Sequence, residues 1–379
     1  MSRSAPWLVS TDTQLAELLT RLGSAPSIAV DTESDGFFRY RARLCVLQLA
    51  VPGTLAVVDT LAAMDLGPLW RFLGDPAREC VLHDAEGDVL LLQRRLGVVL
   101  GRLFDTQHAV KMLGSAQVGL AALLESMLGV RLDKGEQRSD WGRRPLSASQ
   151  LVYAAGDVEH LLLARERLHA DLVAKGRLEM ALQGFERIRT RNPQEPVFDP
   201  EGWLELRDAR KLGPAGRGLL RAAYLWREEL ARRRECAPFR VVGPDTLVEI
   251  ARAQPADAAA LHRVRGMPAW LRGTPEEDTL LAALRGALPV PDTALPPRAP
   301  RPDPQVEARF DALRAWRTRV AKEMGVDISV LASNTSLRTL ALSPPASAAA
   351  LADAAELLPW QRETLAEGMF QALTGTPAR

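Results

Sequence analysis

The sequence predicts an α/β domain over residues 1–190 followed by two small all-helical units, and three observations predict it. Short β-branched apolar runs alternate with helical patterns in the first half of the chain. Apolar spacing is helical throughout the remainder. Two proline-rich breaks separate these stretches, and 379 residues exceed what one hydrophobic core usually fills.

In chain order, Ile28-Ala-Val30 reads as a short strand. Leu44-Cys-Val-Leu-Gln-Leu49 and Leu55-Ala-Val-Val58 flank Pro52-Gly53, which suits a hairpin. Cys80-Val-Leu82 and Leu103-Phe104 supply two more strands, with helical patterns at Val89–Leu96 and Leu120–Leu128. A starting hairpin followed by strand–helix alternation implies a mixed sheet flanked by helices on both faces. Ser147-x-x-Gln150 is a capping box that starts a further helix, with Leu151, Val152, Ala155, Val158, Leu161 and Leu162 as its apolar residues. The first break is Asn192–Pro200; the second, a linker over 288–304, holds Pro289, Pro291, Pro296, Pro297, Pro300, Pro302 and Pro304. Helical units then span 198–287 and 305–379, and the matching pairs Trp226-Arg227 and Trp316-Arg317 hint at a duplicated module.

Composition narrows the function. A net charge of +1 gives no global basic signal, so a nucleic-acid partner must be met by local patches. Basic stretches at Arg207–Arg221 and Arg232–Arg234 are tempered by nearby acids and read as ordinary helix surface. Cys45, Cys80 and Cys236 are too few and scattered for a disulfide framework or a cysteine-rich zinc site. The five histidines have no metal-ligand spacing; His83 and His160 lie near acidic motifs, and structural roles are expected for both. No apolar run reaches a membrane span and the N-terminus lacks a signal-peptide core, so a cytoplasmic protein with no membrane partner is expected.

Four acids carry the chemistry. Asp31 and Glu33 alternate at a strand end and so share a face. Asp88 opens a leucine-rich helix, and Tyr153 and Asp157 stand at i and i+4 on the capped helix. Singly, each has a plain reading: a strand-end cap, a first-turn acid, a surface Tyr–Asp pair. Together, carboxylates gathered from distant segments repel in a low dielectric unless cations lie between them. Two divalent ions roughly 3.5–4 Å apart would clamp the attacking and leaving oxygens of a phosphoryl displacement. Oxygen-only donors favour Mg²⁺ or Mn²⁺.

These motifs resemble the ribonuclease D family of 3′→5′ exonucleases, with a ribonuclease-H-like fold and a tyrosine in the third motif. The resemblance extends through Leu44–Leu49, Phe104-Asp-Thr106, Leu132–Trp141 and Arg144-Pro-Leu146. Residues 203–275 resemble an HRDC domain in Trp203-Leu-Glu-Leu, Leu225-Trp-Arg-Glu228 and Pro244–Ala251, and 305–375 look like a second, diverged copy. The resemblance implies that Asp31, Glu33 and Asp157 hold the ion that activates water, that Asp31 bridges to a second ion supported by Asp88, and that Tyr153 orients the water. It implies release of nucleoside 5′-monophosphates from the 3′ end of RNA, tRNA precursors above all, by a monomer. Ser34-Asp35 after Glu33 is nearer to the exosome-associated and Werner-type relatives, which keeps DNA open as a substrate. The rivals are a DNA repair exonuclease, a non-catalytic nucleic-acid-binding scaffold and a phosphodiesterase for small nucleotides. Phe37, Phe38, Arg39, Tyr40, Arg41 and Arg43 interleave aromatics with arginines, which suits either a single-strand-binding surface or an apolar plug. Lys134, Arg138 and Arg143 are further candidates for backbone contacts, against a solvated loop.

Overall fold

A computed structural model of the chain describes residues 6–132, 135–191, 194, 197–296 and 303–375. Among these, six strands form one sheet in the order β1-β4-β3-β2-β5-β6: β1 Trp7–Val9, β2 Ser27–Ser34, β3 Leu44–Val51, β4 Thr54–Asp59, β5 Glu79–Leu82 and β6 Arg102–Asp105. The β3–β4 hairpin turns at Pro52-Gly53 with Val51 opposite Thr54; Gly53 has φ +81°, a conformation glycine adopts without strain. β5 pairs in parallel with both β2 and β6, and β1 in parallel with β4. β1 is a short edge strand that the sequence reading does not contain. Parallel pairs need crossovers, which helices α1 Asp12–Leu22, α2 Gly67–Leu73 and α3 Glu86–Leu96 supply. Helices α4 Thr106–Leu113, α5 Leu120–Leu128, α6 Ala148–Glu159, α7 Leu161–Ala174 and α8 Leu178–Arg189 complete the sheet domain.

The remaining described residues form helices and short 3₁₀ turns: α9 Pro214–Arg233, α10 Pro238–Val241, α11 Pro244–Ala253, α12 Ala258–His262, α13 Pro275–Arg285, then α14 Pro304–Met324, α15 Asn334–Leu342, α16 Ala348–Ala354 and α17 Pro359–Thr374. No helix among them is long and apolar enough to cross a membrane.

The three consecutive units read from the sequence pack as two. One compact unit takes residues 1–33, 44–193 and 299–379, the other 34–43 and 194–298. The reason lies in the apolar faces. Leu313, Trp316, Leu331, Leu337, Trp360 and Met369 belong to the same buried cluster as Ile28, Val30, Leu47, Val81, Phe104 and Phe185. Backbone polar groups complete the junction: the Asp327 N–H donates to the Lys111 carbonyl (2.9 Å), and the Trp360 N–H to Gln183 Oε1 (3.1 Å). The Arg177 guanidinium reaches the carbonyls of Met112, Met324 and Gly325, which lie at the C-terminal ends of α4 and α14. Both helix ends carry partial negative charge, and one cation satisfies both. The approach is close: a Cβ on Gly114 would overlap the carbonyl of Gly325.

The other unit has its own core around Trp203, Leu220, Trp226, Leu230, Leu247, Ile250, Leu271 and Leu280. The proline-rich run begins here as packed chain, not as a free spacer. The Val290 N–H donates to the Pro214 carbonyl (2.9 Å), and Arg217, buried and not on the surface as its sequence context suggested, donates to Asp292 (2.6 Å). The rest of the run, 297–302, lies outside the described residues.

Candidate active site

β2 is buried through Val30 and half-buried from Asp31 to Ser34, so the strand delivers its acids where the sheet meets solvent. Asp31, Glu33 and Asp157 each bring a carboxylate oxygen within 4.8 Å of the others, uniting the strand end with α6 as the i, i+2 and i, i+4 spacings require. Asp88 sits in the first turn of α3 and is turned toward Thr32, whose hydroxyl donates to it. Thr32 is a partner that sequence reading missed, since strand alternation pointed it away from the acids. The cavity in front of Asp31, Glu33 and Asp157 holds about 440 Å³ and is lined also by Thr32, His83, Gln107, Leu120, Tyr153 and Leu161, whereas Asp88 lies behind Thr32 and is not among the lining residues.

Electrostatics mark the spot. Burial, then Asp88, Asp157 and Glu33, raises Asp31 well above the usual carboxylate range. Burial with Asp157 and Asp88 lifts Glu33 to about 8. Burial, helped by Asp105 and Asp84, outweighs the Thr32 hydrogen bond at Asp88, which rises to about 7, and burial outweighs the Tyr153 hydrogen bond at Asp157, which rises to about 6. Desolvated like charges of this kind are costly, and divalent cations with oxygen ligands relieve the cost directly. The donor set therefore fits hard cations. Tyr153 is pushed up by burial and by Asp157, Glu33 and Asp31, so its hydroxyl keeps its proton and acts as a donor.

The surrounding residues fix these groups. Ser147 and Gln150 form the predicted capping box, which sets the start of α6 and so the heights of Tyr153 and Asp157. The Tyr153 ring lies 6.0 Å from that of buried Trp141. Arg144 ties the loop carrying Trp141 to the sheet: it donates to both Asp59 carboxylate oxygens (2.7 and 2.6 Å) and to the carbonyls of Cys45 (2.8 Å) and Trp141 (2.7 Å). Asp105 does the same for the second motif. Its carboxylate caps α4 at the N–H groups of Gln107 (2.8 Å) and His108 (3.2 Å), and accepts from those of Asp84 and Ala85 (3.1 Å each) just before α3. Phe104-Asp-Thr106 carried the resemblance, yet this role was not visible in it. His83 Nδ1 lies 2.9 Å from the Thr106 hydroxyl, and burial lowers its pKa to about 4, which leaves it neutral.

Other expected residues fall elsewhere. Arg138 and Arg143 are exposed and do not line the cavity; Lys134 lies outside the described residues. The Phe37–Arg43 run divides. Tyr40 packs on the helical core and donates to Glu228, Phe38 lies under Arg240, and Phe37 is exposed.

Comparison with known proteins follows this geometry. The family model described as 3′-5′ exonuclease matches residues 6–172, and that of the HRDC domain matches 217–274 and 306–373. The class is thus an exonuclease with two appended HRDC modules, an enzyme class that depends on metal ions. Ribonuclease D of Granulibacter bethesdensis is 34% identical over 98% of this chain and 93% of its own length. That of Escherichia coli is 31% identical over 88% and 89%. The crystal structure of Escherichia coli RNase D, described as an exoribonuclease involved in structured RNA processing, superposes with a TM-score of 0.71 at 29% identity, covering 99% of this chain and all of that one. The chain belongs to the ribonuclease D family.

Proposed function

We propose that the protein is a metal-dependent 3′→5′ exoribonuclease that trims structured RNA precursors, tRNA 3′ ends among them, to nucleoside 5′-monophosphates. The observation that carries this reading is the convergence of Asp31, Glu33 and Asp157 on one desolvated point at the edge of a nucleotide-sized cavity. In this reading Asp31, Glu33 and Asp157 would hold one divalent cation, and Asp31 with Asp88 would serve a second. The ions supply activation of water and stabilisation of charge on the scissile phosphate. The chain does the rest. Tyr153, protonated and braced by Trp141, donates a hydrogen bond that orients the attacking water. Leu120 and Leu161, which also line the cavity, offer apolar surface to the terminal nucleoside. Thr32 holds Asp88 ready without neutralising it. We take the domain limits as 1–190, 198–287 and 305–379, joined by the 288–304 run, in a cytoplasmic monomer.

The test is degradation of an end-labelled 3′-tailed tRNA precursor beside a matched single-stranded DNA, with Mg²⁺, Mn²⁺ or EDTA. Metal-dependent shortening of RNA, lost in Asp157→Asn by a factor of about 10³ or more, is the expected result. Preference for DNA would move the enzyme to repair. Binding without cleavage of either would make it a scaffold.

A further inference from the structure

Phe37 and Phe239 stand apart from the other aromatic side chains. They are 58% and 50% exposed, come from segments far apart in sequence, and meet edge to face with ring centroids 6.4 Å apart and planes at 77°. Neither is needed to fill the core below. Tyr40 does that, packing on the helical core and donating to Glu228. Phe38 lies 4.4 Å beneath the Arg240 guanidinium, and the Ala237 N–H donates to the Phe38 carbonyl (3.4 Å). Buried Asp35 closes the loop by accepting from the Arg43 N–H (2.8 Å) and pairing with the Arg39 and Arg43 side chains. The loop is therefore pinned from beneath, while its outermost ring stands in water. An aromatic half out of the core leaves apolar surface that a flat partner would bury.

Charge identifies the partner. Arg41, Arg232 and Arg240 are exposed on these two segments. The acids around them are mostly spent: Asp35 is buried between two arginines, Glu228 is buried against Tyr40, and Glu229 pairs with Arg232 and Arg233, leaving Glu235 as the exposed acid of the stretch. Exposed π faces among arginines are the composition that binds single-stranded nucleic acid, bases stacking on rings and phosphates meeting guanidinium groups. Phe37 follows Glu33 by four residues, about 14 Å of fully extended chain at most.

We propose that Phe37 and Phe239 form a stacking platform for bases of single-stranded RNA upstream of the 3′ end, with Arg240 meeting the adjoining phosphate. The proposal rests on the exoribonuclease reading and adds a binding site to it.

The test uses the full chain carrying Asp157→Asn and a fluorescein-labelled oligoadenylate of about a dozen nucleotides, read by anisotropy. The pair Phe37→Ala with Phe239→Ala should weaken binding about tenfold or more. Phe37→Leu should weaken it several-fold, and Phe37→Tyr, which keeps a π face, should retain it. An abasic oligomer should bind both backgrounds equally, since it has no bases to stack. Unchanged affinity in the pair variant, or equal losses with Leu and Tyr, overturns the platform. Thermal melting of each variant separates a lost contact from a lost fold. Failure of the underlying reading shows differently: the wild-type chain would then leave the same oligoadenylate unshortened in Mg²⁺ and Mn²⁺.

Discussion

The two HRDC modules start from the same device and end in different places. In each, a long helix buries a Trp-Arg pair: Trp226-Arg227 in α9 and Trp316-Arg317 in α14. In the first module Trp226 donates to the Thr279 hydroxyl (2.9 Å), Arg227 lies over the Tyr224 ring, and the surrounding core is the module's own. In the second, Arg317 donates to the Ala332 carbonyl (2.6 Å) and Asn334 Oδ1 (2.8 Å), and the core runs on into the sheet domain. A duplicated module need not keep duplicated work. The first keeps a core of its own, and the second shares one with the sheet domain.

That contrast can be broken, beginning with the largest effect. Heating should give two transitions, and only the one containing the sheet domain and second module should respond to the site's charges. Burial lifts Glu33 to about 8, Asp88 to about 7 and Asp157 to about 6. Folded values above unfolded ones mean stability that is fully present below about pH 4 and lost as pH rises through these values, because the unfolded chain releases its protons first. With EDTA the melting temperature of that transition should fall from pH 5 to pH 8, and Mg²⁺ should recover it. A response in the other transition would refute the division. Next, Trp316→Ala should cost about 3–5 kcal/mol in the catalytic transition, while Trp226→Ala costs a similar amount in the other, both by calorimetry. Arg177→Ala should cost about 2 kcal/mol by removing charge-assisted bonds to three carbonyls, and Arg177→Lys should restore less than half, since an ammonium cannot fork among them. Smallest, Arg234→Ala breaks a partly exposed pair with Glu276 and should leave the midpoint of a denaturant titration nearly unchanged.

Much of this was legible in the chain. Fixed local spacings revealed the hairpin, the capping box and the acid positions, because i, i+2 and i, i+4 geometry follows from strand and helix alone. What escaped depends on long-range contact. Thr32 reaches Asp88 across 56 residues, and Arg144 reaches Asp59 across 85. The merging of the second module with the sheet domain escaped for the same reason, since an amphipathic helix advertises that it needs a partner and not which one. The Phe37–Arg43 run offered two readings, and each describes part of it: Tyr40 and Phe38 are the plug, and Phe37 is the exposed ring.

The meeting of Gly114 and Gly325 has a consequence for descent. Gly114 has φ +79° and Gly325 φ +59°, each ends a helix, and a side chain on Gly114 would strike the Gly325 carbonyl, whereas at Gly325 only the left-handed backbone favours glycine. Gly114 should therefore be kept wherever the second module packs against this turn. A lineage that discards its second module frees Gly114 to drift, first toward asparagine, which tolerates the left-handed turn. Loss of that one glycine would then betray an exonuclease that has parted from its C-terminal helices.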